Sequence, residues 1–494
     1  MKTKKPVEEG MENTRPRVSR KTLVKKEEAN KKKVAKRVRK SAEKRSRTEL
    51  STQEAKAIKK QQSPSEFWRV FRQYDESMTE IREFFSELSP YISEMEEGIL
   101  KSRSEIAKEK IKSLWQDFDQ SATLEDKEEL NQLLENIIKQ IRKSKLPIKF
   151  LTGQQRPLVA KLMADLLNIA RHAATPQLIR HELLNRGILM CLVSYFEVLI
   201  SDLVHLYYGL VPDATSTNDK VLSVNELREF SSIDDAFQFV ISRRVDDLLR
   251  GSIFDWHDFF KTRMKIDLNG LVPNVAEWNE LFQRRHIMVH AGGRVTKRYL
   301  ANVDWGELVV RITRPEIGKQ LGIDDSYLER AINSFEIAGL LLCQECWKKY
   351  AIQEHDIRMS REGGLTGAVY QRLLSGNWYV AEHLADWGSK DSDADESSIL
   401  VCLFNRWLCI KRQGRWAEVT DEVEAFDTSA KQSMFSLVKA ALLEKADDFF
   451  KLLPLVIGTG LNIDSAKEWP ILEEMRTDPR FAEFIEAAEK EAAQ

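Results

Sequence analysis

The stretch Leu281-Phe282-Gln283-Arg284-Arg285-His286-Ile287-Met288-Val289-His290-Ala291-Gly292-Gly293 reads as the closing turns of a helix that ends at a glycine pair. Pro273 and Asn274 open that helix, and Glu277 stands three residues after Asn274, an asparagine form of the capping box. Gly292 and Gly293 supply the left-handed residue a helix end needs. Wound at about 100° per residue, Trp278, Leu281, Phe282, Met288 and Val289 gather on one side, with Arg285 among them. Arg284 points away from that side and follows Glu280 by four residues, which predicts a surface ion pair. Asn279, Gln283, His286 and His290 form a polar strip along the border of the apolar face. Arg285 is therefore a permanent cation where the pattern wants a hydrophobe. Burying it without an anion is costly, so it either snorkels out or pairs with an acid.

Arg285-His286-Ile287-Met288-Val289-His290 resembles the Arg-x4–6-His motif of the HEPN superfamily, with a polar residue after the arginine, aliphatics before the histidine and small residues behind it. His286 stands where many members carry asparagine. Upstream, Leu192-Val193-Ser194-Tyr195-Phe196-Glu197-Val198-Leu199-Ile200-Ser201-Asp202-Leu203-Val204 looks like the long first helix of that family. The resemblance covers roughly residues 170–350. It implies an all-α bundle that either cleaves RNA without a metal or binds nucleotides or partners without chemistry. It also implies a homodimer in which two motif helices face each other across one cleft.

Composition sets the frame around this motif. A chain of 494 residues suggests two or three folded units plus a tail, and 42% hydrophobic residues suffice for sizeable cores. The net charge of −1 hides an asymmetry: residues 1–50 hold 19 Lys/Arg against 7 Asp/Glu, or +12, leaving −13 for the rest. A basic tail on an acidic body suits a polyanion or an acidic partner; a solvated extension has the same composition. The five cysteines sit in apolar settings, which points to a reducing cytoplasm rather than a disulfide framework. Cys343-x-x-Cys346 follows Leu340-Leu341-Leu342 and has no second pair at zinc spacing, so both read as core residues. No apolar leader opens the chain, and the most hydrophobic window, 187–211, is interrupted by Glu197, Asp202 and His205. It reads as a buried helix, not a membrane span.

The expected fold is all-α. Residues 1–62 form a basic disordered tail, with frayed helix around 25–60. Residues 64–157 form a helical N-terminal segment, either packed on its neighbour or paired as a coiled coil. Residues 158–350 form the HEPN-like bundle, with helices over 177–209, 233–250, 255–263, 275–291 and 325–350. A loop spans 211–220, and 294–324 is mixed, with a short strand or hairpin around Leu308–Ile312. Gly363-Gly364-Leu365-Thr366-Gly367 reads as a linker. Residues 361–494 form a helical-repeat domain. Leu374-Ser375-Gly376-Asn377-Trp378 recurs as Arg412-Gln413-Gly414-Arg415-Trp416, and more faintly as Leu443-Glu444-Lys445-Ala446-Asp447-Asp448-Phe449-Phe450. Gly-x-aromatic turns at this period resemble tetratricopeptide-type solenoids, which bind proteins. Asp391–Ser398 reads as a soluble loop between pairs.

If the bundle acts as the resemblance implies, His290 moves a proton at the ribose 2′-oxygen or the leaving 5′-oxygen. Arg285 then holds the phosphate, and His286 orients substrate or serves as a second acid or base. Arg294, Lys297 and Arg298 follow the RNA backbone, or are simply solvated. No cofactor is called for. His286 and His290 have metal-ligand spacing, but no glutamate follows His286 and no third ligand lies nearby, so no metal is assigned. A structural alternative salt-bridges Arg285 to Glu197 or Asp202. A Walker-type loop, a Gly-x-Ser-x-Gly elbow and a kinase set are absent from the sequence. The expectation is a cytoplasmic, homodimeric RNA-cleaving enzyme of stress response or defence. A non-catalytic scaffold is the alternative.

Overall fold

The computed structural model describes residues 20–142, 156–174, 180–211, 214, 222–308, 313–351 and 355–492. Side chains are described from Glu66 onward within those ranges, apart from 136–142, 170–174, 224, 307, 355–360 and 491–492. The chain is 80% helix, with no strand among the described residues. Two units emerge, Met1–Ser65 and Glu66–Gln494.

In the first unit, helix α1 (Arg20–Ser121) has already begun. The stretch around 25–60, for which frayed helix is expected, lies within it, while residues 1–19 lie outside the described residues. Residues 20–62 contain no glycine or proline and are rich in Lys, Arg, Glu, Ala and Gln, all strong helix formers.

The second unit is built from the rest of α1 and the helices that follow. Helices α2 (Leu124–Arg142) and α3 (Pro157–Ala174) close a small satellite core with α1, in which Phe118, Leu130, Val159, Leu162 and Met163 are buried. Earlier along α1, the face carrying Phe67, Phe71, Tyr74 and Met78 joins the main core. The sequence left two fates open for this segment, and α1 adopts the packed one over 66–81.

The bundle consists of α4 (Arg180–Leu210), α5 (Val224–Leu227), α6 (Ile233–Leu249), α7 (Ile253–Phe259), α8 (Val275–His290), α9 (Lys297–Asn302), α10 (Trp305–Leu308) and α11 (Asp325–Tyr350). Helix α7 continues into one π-turn, Phe260–Met264, which stops at Lys265 in the left-handed conformation. The long helices α4 and α11 pack on each other and hold α8 against them. Phe196 of α4 sits at the centre: its ring meets Trp256 of α7, Trp278 and Phe282 of α8, and Phe335 of α11, at centroid separations of 5.0–6.3 Å. Helix α4 is long and apolar enough to cross a membrane, but half of that window is buried inside the bundle. Of the hairpin expected near Leu308–Ile312, residues 309–312 lie outside the described residues. The excursion is pinned instead by a single bridge between Arg294 and Gln320. Most of the 211–220 loop also lies outside them.

The C-terminal helices are α12 (His355–Leu374), α13 (Trp378–Ser389), α14 (Glu396–Arg412), α15 (Thr420–Ala425), α16 (Ser433–Leu442), α17 (Ala446–Val456), α18 (Ile463–Glu468), α19 (Glu473–Arg476) and α20 (Pro479–Ala492). They stack as neighbours along the chain, and their core is continuous with that of the bundle. The three recurring sequence stretches make the same turn. Gly376, Gly414 and Glu444 all have positive φ (72°, 75° and 56°). The following amide reaches back five residues in each copy: Asn377 N to Arg372 O, Arg415 N to Ile410 O, and Lys445 N to Ala440 O. This is the Schellman closure, repeated three times.

Two sequence expectations fail here. Gly363–Gly367 is not a linker but lies inside α12, because Gly364 gives the Trp68 ring of α1 room to approach. Asp391–Ser398 is not a wholly solvated loop either. Asp391 is buried and holds Arg361 and Lys348, while Asp395 caps α14, which begins at Glu396.

Candidate functional site

Helix α8 begins as its sequence predicts: the Asn274 side chain accepts from Glu277 N at 2.9 Å. It ends at Gly292 (φ 56°) and Gly293 (φ 81°). The φ of Gly293 strains any other residue, and a Cβ there would also have to displace Gln320 Nε2 at 2.6 Å and Met288 Sδ at 3.0 Å. Gln320 Nε2 donates to Gly292 O, Leu321 N to Gly293 O, and Val295 N to Lys319 O. The chain after the motif is thus fixed beside the end of α8.

The two arginines exchange the roles expected of them. Arg284 is buried, and its Nε donates to the equally buried Glu280 Oε1 at 2.7 Å. Its Nη1 donates to Gly322 O at 2.8 Å, and the guanidinium lies 4.5 Å from the Tyr327 ring centroid. Glu280 also accepts from Tyr299 and Tyr327 hydroxyls. Burial and the Glu280 charge push both phenols upward. The cause of the exchange is a second core on the far side of α8. Ala276 and Ile287 pack there with Val295, Tyr299, Val303, Trp305 and Leu308. The buried arc of the helix therefore runs from Ala276 round to Trp278, and Arg284 lies near its middle. A second stripe at 276, 280, 284 and 287 was the sequence signal for it.

Arg285 lies at the edge of this arc, its side chain 31% exposed. Its Nη2 is 3.9 Å from Glu197 Oε1 on α4, too far for a hydrogen bond, and its Nε is buried without a partner. Burial raises the Glu197 carboxyl, an effect the Arg285 charge partly offsets. Asp202, the other acid named for this role, is raised by burial and feels Arg69 and His205 instead.

His286 and His290 sit one turn apart with ring centroids 4.6 Å from each other. His286 is half-buried and His290 exposed. Burial lowers the His286 pKa, and His290, Arg298 and Arg285 lower it further. Those four side chains therefore share one electrostatic neighbourhood. Arg294, Lys297 and Arg298 are exposed, and none forms an ion pair among the described residues. Arg294 has one long contact, Nη1 to Gly318 O at 3.4 Å. Val289, expected on the apolar face, is 51% exposed on the same helix as the two histidines. Among the described residues no group of three or more His, Cys, Asp or Glu is placed to hold a metal ion. Cys343 and Cys346 are free, buried thiols that burial pushes upward.

Chemically, the end of α8 offers a cation with spare donors, one imidazole held toward its neutral form, a second open to solvent, and exposed basic side chains behind them. Comparison with protein families, with curated proteins and with solved structures returned no match.

Proposed function

We propose that this protein is a metal-independent endoribonuclease of HEPN type, with its site at the C-terminal end of α8. The observation that carries this reading is the grouping of Arg285, His286, His290 and Arg298 in one solvent-reachable neighbourhood, with the Arg285 Nε unpartnered. RNA brings its own nucleophile, so positioning, charge and proton transfer are what the protein must supply. The ribose 2′-oxygen attacks phosphorus and gives its proton to an imidazole. The P–O5′ bond breaks, and the leaving oxygen takes a proton from the other imidazole. His286, which burial holds toward its neutral form, suits the base, and the exposed His290 takes the part of the acid. Arg285 offsets the charge growing on the phosphoryl oxygens through its planar fork. The products are a 2′,3′-cyclic phosphate and a 5′-hydroxyl. Arg294, Lys297 and Arg298 carry the flanking backbone.

Val289 is exposed between His286 and His290 on α8, and we assign the end of that helix to an interface with a second copy of the chain. The repeats, read as tetratricopeptide-like, serve a protein partner, and the setting is cytoplasmic, in stress response or defence. One observation favours a different reading: Glu197 stands beside Arg285 and suits a non-catalytic bundle in which that pair is structural. The test is to incubate wild type, Arg285→Ala and His290→Ala with total RNA in EDTA and to map the ends. Cyclic-phosphate ends from wild type alone support the nuclease. Equal behaviour of three folded proteins supports the scaffold.

A further inference from the structure

On a different face, three segments far apart in the chain meet at His181. Its Nδ1 lies 3.1 Å from Ser93 Oγ, and its Nε2 lies 2.7 Å from Asp325 Oδ1. Ser89 Oγ is 3.1 Å from the same Nε2 and donates to Asp325 Oδ2 at 2.9 Å. Asn185, itself buried, donates to Asp325 Oδ1 at 2.7 Å and fixes that carboxylate. Two acceptors at Nε2 place the ring proton there. Nδ1 is left as the basic nitrogen facing Ser93. A hydroxyl on an imidazole that a carboxylate orients is the arrangement that activates a serine nucleophile.

The surroundings add what a substrate needs. Ser93 is exposed, while the His181 side chain is largely covered. The neighbours of these two residues in sequence, Ile92 and Arg180, line a groove of about 660 Å³ between α1 and α4. Its walls are mostly apolar: Ile81, Phe84, Leu183, Leu184 and Tyr195. The Arg180 guanidinium has only a contact to Met95 Sδ at 3.1 Å among the described residues. Glu96 takes the backbone N–H of His181 at 3.3 Å, so Arg180 is the remaining donor for an oxyanion. An apolar groove beside a primed serine and an unpaired cation fits an ester or thioester of a medium-length fatty acid.

We infer that Ser93, His181 and Asp325 form a second catalytic site, one that hydrolyses acyl esters. Ser93 Oγ adds to the carbonyl carbon as its proton passes to His181 Nδ1. The bond to the alcohol breaks, and the alcohol leaves with that proton. Water then adds to the acyl-serine, gives a proton to Nδ1 and releases the acid, and Nδ1 returns the proton to Ser93 Oγ. Asp325 and Ser89 keep the ring in its working tautomer. With one side-chain donor at the oxyanion instead of preset backbone amides, turnover is slow and favours activated esters.

The test uses the full-length protein and a fluorophosphonate probe, which bonds to an activated serine and expels fluoride. The wild type is expected to label at Ser93, located by peptide mass spectrometry, and His181→Gln to label at least about 100-fold more slowly. The groove predicts that p-nitrophenyl octanoate exceeds the acetate by about tenfold or more in kcat/KM. Circular dichroism confirms that each variant is folded. A folded wild type that stays unlabelled, a label on another residue, or ester hydrolysis undiminished in Ser93→Ala overturns the inference.

Discussion

Arg284 and Arg285 are adjacent in sequence, yet they make opposite demands on the fold. Arg284 balances Glu280 inside the protein, so Arg284→Ala leaves a carboxylate buried with only two phenols to satisfy it. Breaking such a pair costs about 3–5 kcal/mol, and urea unfolding at neutral pH should show a loss of that order. Arg285→Ala removes a half-exposed cation with one distant acid, so stability should move by less than about 1 kcal/mol while RNA cleavage is lost. A variant pair with the opposite pattern would move the site to Arg284. His286 gives a second check. Its pKa is lowered from 6.5, so the neutral ring persists below that pH, and the acid limb of kcat/KM for RNA cleavage should fall below pH 6.5. In His286→Gln that limb should disappear. If the limb lies above pH 6.5 instead, His286 is not the base. The sequence showed both arginines and both histidines but ranked the arginines in reverse. A helical wheel assumes one buried side, and α8 is covered on two.

At the scale of elements, helix ends were the most legible feature. The limits expected for α11, 325–350, are those observed, because Asp324 caps Tyr327 N in the way its sequence position suggests. The repeated turns were legible through glycine, and the third shows why the faintest copy is still a copy. Glu444 takes the left-handed conformation that glycine supplies in the other two. Glu444→Gly should therefore raise stability by about 0.5–1 kcal/mol in denaturant titration, less a few tenths for the exposed ion pair with Lys411. Gly414→Ala should lower it by about 1–2 kcal/mol. Helix–helix contacts were much less visible. Gly339 of α11 reads as a weak spot in a helix, but a Cβ there would sit 2.1 Å from the Tyr74 ring of α1. That ring donates its hydroxyl proton to Phe335 O at 2.7 Å. The Ser93–His181–Asp325 cluster was invisible for the same reason. Its members are separated by scores of residues, and no local period links them.

Across the second unit as a whole, one buried carboxylate ties the layers together. Glu336 of α11 accepts from Arg82 of α1 and, at 2.7 Å, from Arg372 of α12, which also pairs with Asp75 of α1. The two arginines hold the Glu336 carboxyl below its usual range despite complete burial. Neither the bundle nor the repeats can be removed without stranding a charge. Nothing in the sequence marks these residues as partners, since each lies on its own helix with ordinary spacing. Glu336→Gln keeps the volume but removes the carboxylate that Arg82 and Arg372 share, leaving Arg372 with Asp75, and should cost about 3–5 kcal/mol. The effect on cooperativity is the sharper measurement. Residues 66–494 form one compact unit, so the wild type should give one main calorimetric transition. In Glu336→Gln the repeats should separate as a second transition, with early chymotryptic cleavage between α11 and α12. Replacing the whole cluster with apolar residues should recover much of the loss, because the desolvation of all four charges disappears together. A Glu336→Gln variant that melts in a single unshifted transition would mean that apolar packing alone holds the layers, and that the charges merely fill the seam.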